Sequence, residues 1–121
     1  MHILLIDDEV GVLTNLGIYL RVERHTSAEI RRIADKEHLH RQLEAIRPHA
    51  VILDFGMGHD GDTVYSWIRE WNHDIPIVFY TCYAESPAHH ARMRSAGAKD
   101  REIIAKREVG TDLRDLLAVL A

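Results

Sequence analysis

The sequence is poor in the features that mark secreted and membrane proteins. Its single cysteine, Cys82, cannot form an intrachain disulfide, which fits a reducing compartment, and we expect it to be buried as a small apolar residue. No apolar stretch approaches the ~20 residues that a helix needs to cross a bilayer. The chain begins with a strand pattern rather than a signal peptide. We therefore expect a cytoplasmic protein with no membrane partner.

The sequence also lacks a strong excess of either charge. Its 15 Lys and Arg stand against 19 Asp and Glu, which gives a net charge of -4. This balance offers no basic surface, so direct binding of nucleic acid is not expected. What the chain does have is 46% hydrophobic residues over 121 positions, which is enough for the core of one ordinary domain. We expect residues 1–121 to form that domain.

Several short runs of the sequence predict β-strands. The apolar runs 2–6, 50–53 and 77–81 lack the alternation of a half-exposed strand. They therefore predict strands of a parallel sheet that is covered on both faces. The charged run 28–34 predicts an edge strand, and the run 102–105 predicts a short fifth strand.

Helical patterns separate these strands. Apolar spacing predicts a first helix over about 9–22, and Asp35 and Thr111 are the expected N-caps of the second and fifth helices. Ser86 followed by Pro87 suits the start of the fourth helix. The alternation predicts an α/β fold with a doubly wound, five-stranded parallel sheet and helices on both faces.

Polar side chains lie at the ends of four predicted strands. Asp7 and Asp8 follow the first strand, Asp54 follows the third, Thr81 ends the fourth and Lys106 follows the fifth. Ligands of open α/β sheets bind at the carboxyl ends of the strands, so we expect these side chains to meet in one crevice. Two carboxylates ~5 Å apart repel by roughly 3 kcal/mol at an effective dielectric near 20. Mg²⁺ would offset this repulsion and keep positions open for phosphate oxygens.

In this order and at these strand ends, the residues resemble the receiver domain of bacterial two-component response regulators. The resemblance covers essentially the whole chain. It is carried by Leu5-Ile6-Asp7-Asp8-Glu9, Ile52-Leu53-Asp54-Phe55-Gly56-Met57, Thr81, Ala96-Gly97-Ala98 and Lys106.

The resemblance implies a flavodoxin-like sheet with strand order 2-1-3-4-5. It also implies a regulatory domain rather than an enzyme. Asp54 would accept a phosphoryl group from a phosphohistidine of a sensor histidine kinase or a phosphotransfer protein. Thr81 and Lys106 would hold the phosphoryl oxygens, and Thr81 would be the switch hydroxyl. The output would be a downstream effector or a homodimer that uses the fourth helix, the fifth strand and the fifth helix. Ile103 occupies the position where the family carries an aromatic switch residue.

The resemblance also implies a Mg²⁺ site. Asp8 would bind the ion directly and Asp7 through water. Asp54 and the backbone carbonyl of Gly56 would be further ligands.

Two other functions stay open at this point. Gly58 and Arg107 stand where the family usually has proline, so a degenerate receiver could act as a phosphorylation-independent interaction module. A hydrolase of the haloacid dehalogenase type also phosphorylates an aspartate. That class needs a second acid two residues after its nucleophile, where this chain has Gly56.

Overall fold

Strands and helices alternate along the residues that the computed structural model describes, which are 1–56, 59–106 and 113–121. The strands are β1 His2–Ile6, β2 Thr26–Ile30, β3 Ala50–Leu53, β4 Ile77–Thr81 and β5 Ile103–Ala105. The helices are α1 Val10–Val22, α2 Lys36–Ile46, α3 Gly61–Trp71, α4 Pro87–Ala96 and α5 Leu113–Leu120. Within these ranges, no helix combines the length and the apolar character needed to cross a membrane.

The five strands form one parallel sheet in the order β2-β1-β3-β4-β5, which confirms the predicted topology. The register pairs Ile6 with Leu53, Leu53 with Phe79, and Phe79 with Ile103. The carboxyl ends of β1, β3, β4 and β5 therefore lie side by side at one edge of the sheet. The strand order changes direction beside β1, which is where open α/β sheets bind their ligands.

The core lies on both faces of the sheet. Leu4 and Ile6 pack on the side of α2, α3 and α4, whereas Ile3 and Leu5 pack on the side of α1 and α5. Fully burying one such side chain contributes about 1.5–3 kcal/mol. Because both faces are covered, every position of a central strand must be apolar, which explains the runs without alternation.

The predicted starts of α2 and α4 are confirmed in position. Asp35 accepts a hydrogen bond at its Oδ1 from the backbone N–H of His38, at 2.7 Å, and caps α2 as expected. Pro87 is the first residue of α4. The hydroxyl of Ser86 does not cap that helix, because it bonds to Nδ1 of His89 at 2.8 Å.

Two expectations from the sequence are wrong. The second strand spans Thr26–Ile30 rather than 28–34, because β1 ends at Ile6 and offers no partner beyond Ile30. Cys82 is exposed rather than buried, because it lies in the loop after β4 instead of in the strand. The expected cap at Thr111 lies outside the described residues.

Gly61 brings the start of α3 into direct contact with the loop after β3. A Cβ atom at this position would lie 2.6 Å from Cα of Phe55 and 3.0 Å from the carbonyl oxygen of Asp54. The N–H of Gly61 donates to the carbonyl oxygen of Phe55 at 2.6 Å. No side chain fits between these two stretches of backbone. The close approach therefore fixes the backbone on which Asp54 is placed.

We expect Gly61→Ala to destabilise the fold by about 1–3 kcal/mol, because the added methyl group overlaps backbone that cannot move freely. The matched control is Gly11→Ala in α1, where an added Cβ would meet no atom within 4 Å. That change should leave the stability within about 0.5 kcal/mol of the wild type, because Gly11 lies in the first turn of α1 and its surroundings are open. Urea unfolding measures both free energies. Equal effects at the two positions would contradict the close approach.

Candidate functional site

Two buried aspartates lie where β1 and β3 end. The N–H of Asp7 donates to the carbonyl oxygen of Ile30 at 3.1 Å, and the N–H of Asp54 donates to that of Ile6 at 2.9 Å. The sheet thus continues through the backbone of both residues. Only 4% of Asp7 and 6% of Asp54 is exposed. Their carboxylates are therefore carried by rigid backbone and largely removed from water.

Lys106 brings an ammonium group to these acids. Its backbone N–H continues the pairing of β5 with β4, because it donates to the carbonyl oxygen of Thr81 at 2.9 Å. Its Nζ atom lies 2.8 Å from Oδ2 of Asp7, 3.2 Å from Oδ1 of Asp54 and 3.2 Å from Oε1 of Glu9. An ammonium has three N–H donors. Lys106 can thus direct one donor at each of three carboxylates.

The charges in the site shift the pKa values of its members. Burial raises the pKa of the Asp54 carboxyl above its usual value, and the ammonium of Lys106 offsets part of this shift. The nearby carboxylate of Asp7 raises the pKa further. Burial alone would lower the pKa of Lys106, but its contacts with Asp7, Asp54 and Glu9 outweigh this and raise it. Lys106 therefore stays charged, while Asp54 holds its proton more tightly than a solvated aspartate does.

The oxygen atoms of the site fit a small, hard cation. Octahedral Mg²⁺ with ligands at ~2.1 Å has oxygen atoms about 3.0 to 4.2 Å apart. Carboxylate oxygens within 4.8 Å of one another come from four acids, Asp7, Asp8, Glu9 and Asp54. Asp8 and Gly56 are exposed, so one side of the cluster is open to solvent. The donor set and its spacing thus suit a divalent cation that keeps some of its water.

Thr81 ends β4 and lies fully buried next to the strand that carries Asp54. Its hydroxyl oxygen accepts a hydrogen bond from the backbone N–H of Tyr83, at 3.1 Å. Ile103, the residue three positions before Lys106, is partly buried and packs on the core. The structure thus has an aliphatic side chain on β5 and an aromatic residue, Tyr83, in the loop after β4.

Sequence reasoning missed Glu9 as a member of the site. Glu9 bonds to Lys106 across 97 positions of sequence. The N–H of Glu9 also donates to Oδ1 of Asp7 at 2.9 Å, so the backbone turns back directly after the acidic pair. The only indication in the sequence was that Glu9 is the third acid of the run 7–9. The departures at Met57-Gly58 and at Arg107 lie outside the described residues.

A model of the response regulator receiver domain matches residues 3–118 of this chain. No curated protein matches the chain.

Solved structures with the same fold include a response regulator from Burkholderia pseudomallei with a phosphorylated aspartic acid, a calcium ion and citrate. The two structures superpose with a TM-score of 0.80, and their sequences are 19% identical. The match covers 99% of this chain and 66% of that one. A CheY-like receiver domain protein from Methanospirillum hungatei JF-1 has a TM-score of 0.79 at 19% identity, over 97% and 87% of the two chains.

The beryllofluoride-activated receiver domain of RstA from Klebsiella pneumoniae has a TM-score of 0.76 at 24% identity. The match covers 99% of this chain and 97% of that one. Identities this low show a shared fold, whereas the family model matches nearly the whole sequence. The chain therefore belongs to the response regulator receiver domains, the regulatory phosphoacceptor domains of two-component signalling.

Proposed function

We propose that this chain is a phosphorylation-controlled switch in which Asp54 accepts a phosphoryl group from a phosphohistidine. The donor would be a sensor histidine kinase or a phosphotransfer protein, and residues 1–121 would form one receiver domain. The observation that carries the proposal is the buried carboxylate of Asp54 at a strand end, with its Oδ1 3.2 Å from the ammonium of Lys106. This pairing gives a nucleophile beside a fixed positive charge.

The transfer needs positioning and charge neutralisation more than it needs an acid or a base. A carboxylate oxygen of Asp54 forms the new P–O bond while the P–N bond to the donor imidazole breaks. The electron pair of the broken bond stays on the imidazole nitrogen, which takes a proton from solvent. Lys106 remains charged throughout and attracts the phosphoryl oxygens.

Mg²⁺ is the cation that we propose for the acidic cluster. Asp8 and Asp54 would bind it directly, Asp7 would bind through water, and the carbonyl of Gly56 would be a further ligand. The ion supplies positive charge to the phosphoryl oxygens when it is bound. The hard oxygen donors and the open, solvent-facing side of the cluster support this choice.

We propose that the output follows from a movement of the Thr81 hydroxyl toward the phosphoryl group. The surface formed by α4, β5 and α5 would then bind a downstream effector or a second copy of the chain. Ile103 offers no ring for an aromatic switch on β5, so the response should pass through the loop after Thr81 instead.

Incubation with Mg²⁺ and a small phosphodonor such as acetyl phosphate should add the mass of one phosphoryl group. Asp54→Asn should abolish the addition, because the amide is not a nucleophile toward phosphorus. Asp74→Asn, which removes an exposed charge far from the site, is the control and should be phosphorylated normally. The intact masses of the wild type and of the two variants are measured after the incubation. An unchanged wild-type mass with both the small donor and a cognate kinase would favour the degenerate receiver.

The raised pKa of Asp54 predicts how stability depends on pH. The folded state holds the Asp54 proton more tightly than the unfolded state, so this group lowers stability as the pH rises from the ordinary aspartate pKa of 3.8 through the raised pKa. Without a metal ion, Asp54→Asn should therefore be more stable than the wild type at pH 7. The advantage should shrink as the pH falls toward 3.8. Thermal unfolding of both proteins over this pH range measures the difference in stability. If the difference grew as the pH fell, the pKa of Asp54 would not be raised in the folded state.

Mg²⁺ should stabilise the folded protein by mass action, by about 2.7 kcal/mol at a free concentration of 100 Kd. Asp8→Ala should remove most of this effect without destabilising the metal-free protein, because it takes one negative charge out of a repulsive cluster. Asp74→Ala is the matched control, which removes an exposed acid elsewhere and should keep the full response. The melting temperature of each protein, measured as a function of Mg²⁺ concentration, gives this stabilisation. If Asp8→Ala and Asp74→Ala respond alike, Asp8 is not a ligand.

A further inference from the structure

Three rings from three different segments meet beside the site. Phe55 directly follows Asp54 and is 3% exposed. Its ring meets the ring of Tyr83 edge-on, with 6.0 Å between centroids, and the ring of His89 edge-on at 5.1 Å. Tyr83 and His89 stack on each other at 4.3 Å, with 17° between their planes. This three-ring cluster, Phe55, Tyr83 and His89, joins the loop after β3, the loop after β4 and the helix α4.

Tyr83 is the member of the cluster that is bonded to the switch hydroxyl. Its backbone N–H donates to Oγ1 of Thr81 at 3.1 Å. Its ring also reaches the loop of Asp54, because Cε2 would lie 3.8 Å from a Cβ atom placed on Gly56. One residue thus touches the hydroxyl, the loop that carries the proposed metal ligands and α4. A displacement of Thr81 therefore also changes the position of Tyr83.

The helix α4 contacts Phe55 through two side chains on the same helix face. His89 makes the ring contact, and the guanidinium of Arg92 lies 5.0 Å from the centroid of the Phe55 ring. Arg92 also forms ion pairs with Asp60 and Asp62 at the start of α3. Residues three apart on a helix are neighbours, so both contacts fix the same part of α4. A change in the cluster therefore acts on the first two turns of that helix.

We propose that Tyr83 and His89 carry the signal from Thr81 to α4, in place of the ring that position 103 lacks. The proposal rests on the proposed function, because its trigger is a phosphoryl group on Asp54. When the Thr81 hydroxyl turns toward a phosphoryl oxygen, it leaves the N–H of Tyr83. An N–H group without an acceptor is unfavourable, so the loop rearranges and the Tyr83 ring leaves His89. The stack thus stabilises the unphosphorylated arrangement and opposes the active one.

Linkage gives this proposal a direct test. Any change that removes the stack should favour the active arrangement and tighten the binding of a phosphoryl mimic. We expect His89→Ala to raise the apparent affinity for beryllium fluoride, in the presence of Mg²⁺, by about two- to tenfold, the range that one aromatic pair accounts for. The matched control is His90→Ala. His90 is the next residue on the same helix, its ring lies 3.5 Å from Asp100, and the affinity should stay unchanged. A general loss of stability would not raise the affinity.

A second comparison needs no phosphoryl mimic. Thr81→Val in the full chain keeps the shape of the side chain and removes the acceptor of the Tyr83 N–H. We expect faster amide exchange at Tyr83 and a changed ring signal of His89 in the NMR spectrum, while the ring signal of His90 stays as in the wild type. Equal affinities of the two histidine variants, together with an unchanged His89 signal in Thr81→Val, would overturn the proposal. If the wild type binds no beryllium fluoride at all, the proposed function fails, and Thr81→Val still decides whether Thr81 and His89 are coupled.

Discussion

The ammonium of Lys106 balances carboxylates that would otherwise repel one another at the edge of the sheet. It contacts Asp7, Asp54 and Glu9, and two of these three acids are largely buried. One positive charge does not neutralise them all, so the site keeps an excess of negative charge. Burial raises the pKa of Asp54, and the carboxylate of Asp7 raises it further. A cation that binds here relieves this imbalance. Under the proposed function, a phosphoryl group on Asp54 would add to this excess.

The rest of the fold serves to hold that group of charges in place. Parallel pairing of β1, β3, β4 and β5 puts residues from the two ends of the chain at one edge, and the apolar cover on both faces makes the sheet rigid. Gly61 lets α3 begin against the backbone of Asp54. The loop after β4 differs, because Tyr83 is 40% exposed and is held by hydrogen bonds to Thr81 and Ser86 and by two ring contacts. The switch that we propose would move this more exposed loop and leave the strand ends in place.

Much of this was readable in the sequence, for reasons that particular residues make clear. The central strands were predicted because burial on both faces leaves a run of apolar residues at 50–53 and 77–81. Asp54 and Lys106 were assigned to the same edge because each directly follows a strand, and parallel strands end together. The edge strand β2 begins two residues and ends four residues before the predicted run 28–34, because a strand paired on one side carries a weaker pattern. The expectation for Cys82 is wrong because it rests on the general tendency of cysteine to be buried, whereas this residue lies in the exposed loop after β4.

The sequence by itself determined which residues would stand at strand ends, since local periodicity decides where strands begin and end. Only the tertiary structure decided which side chains meet. Glu9 reaches Lys106, and Phe55 meets His89, because the order of the strands and the packing of α4 bring distant segments together. Such contacts depend on the direction of each side chain across a gap of a few ångströms. No spacing along the chain encodes that direction, so the charged site could be anticipated and the three-ring cluster beside it could not.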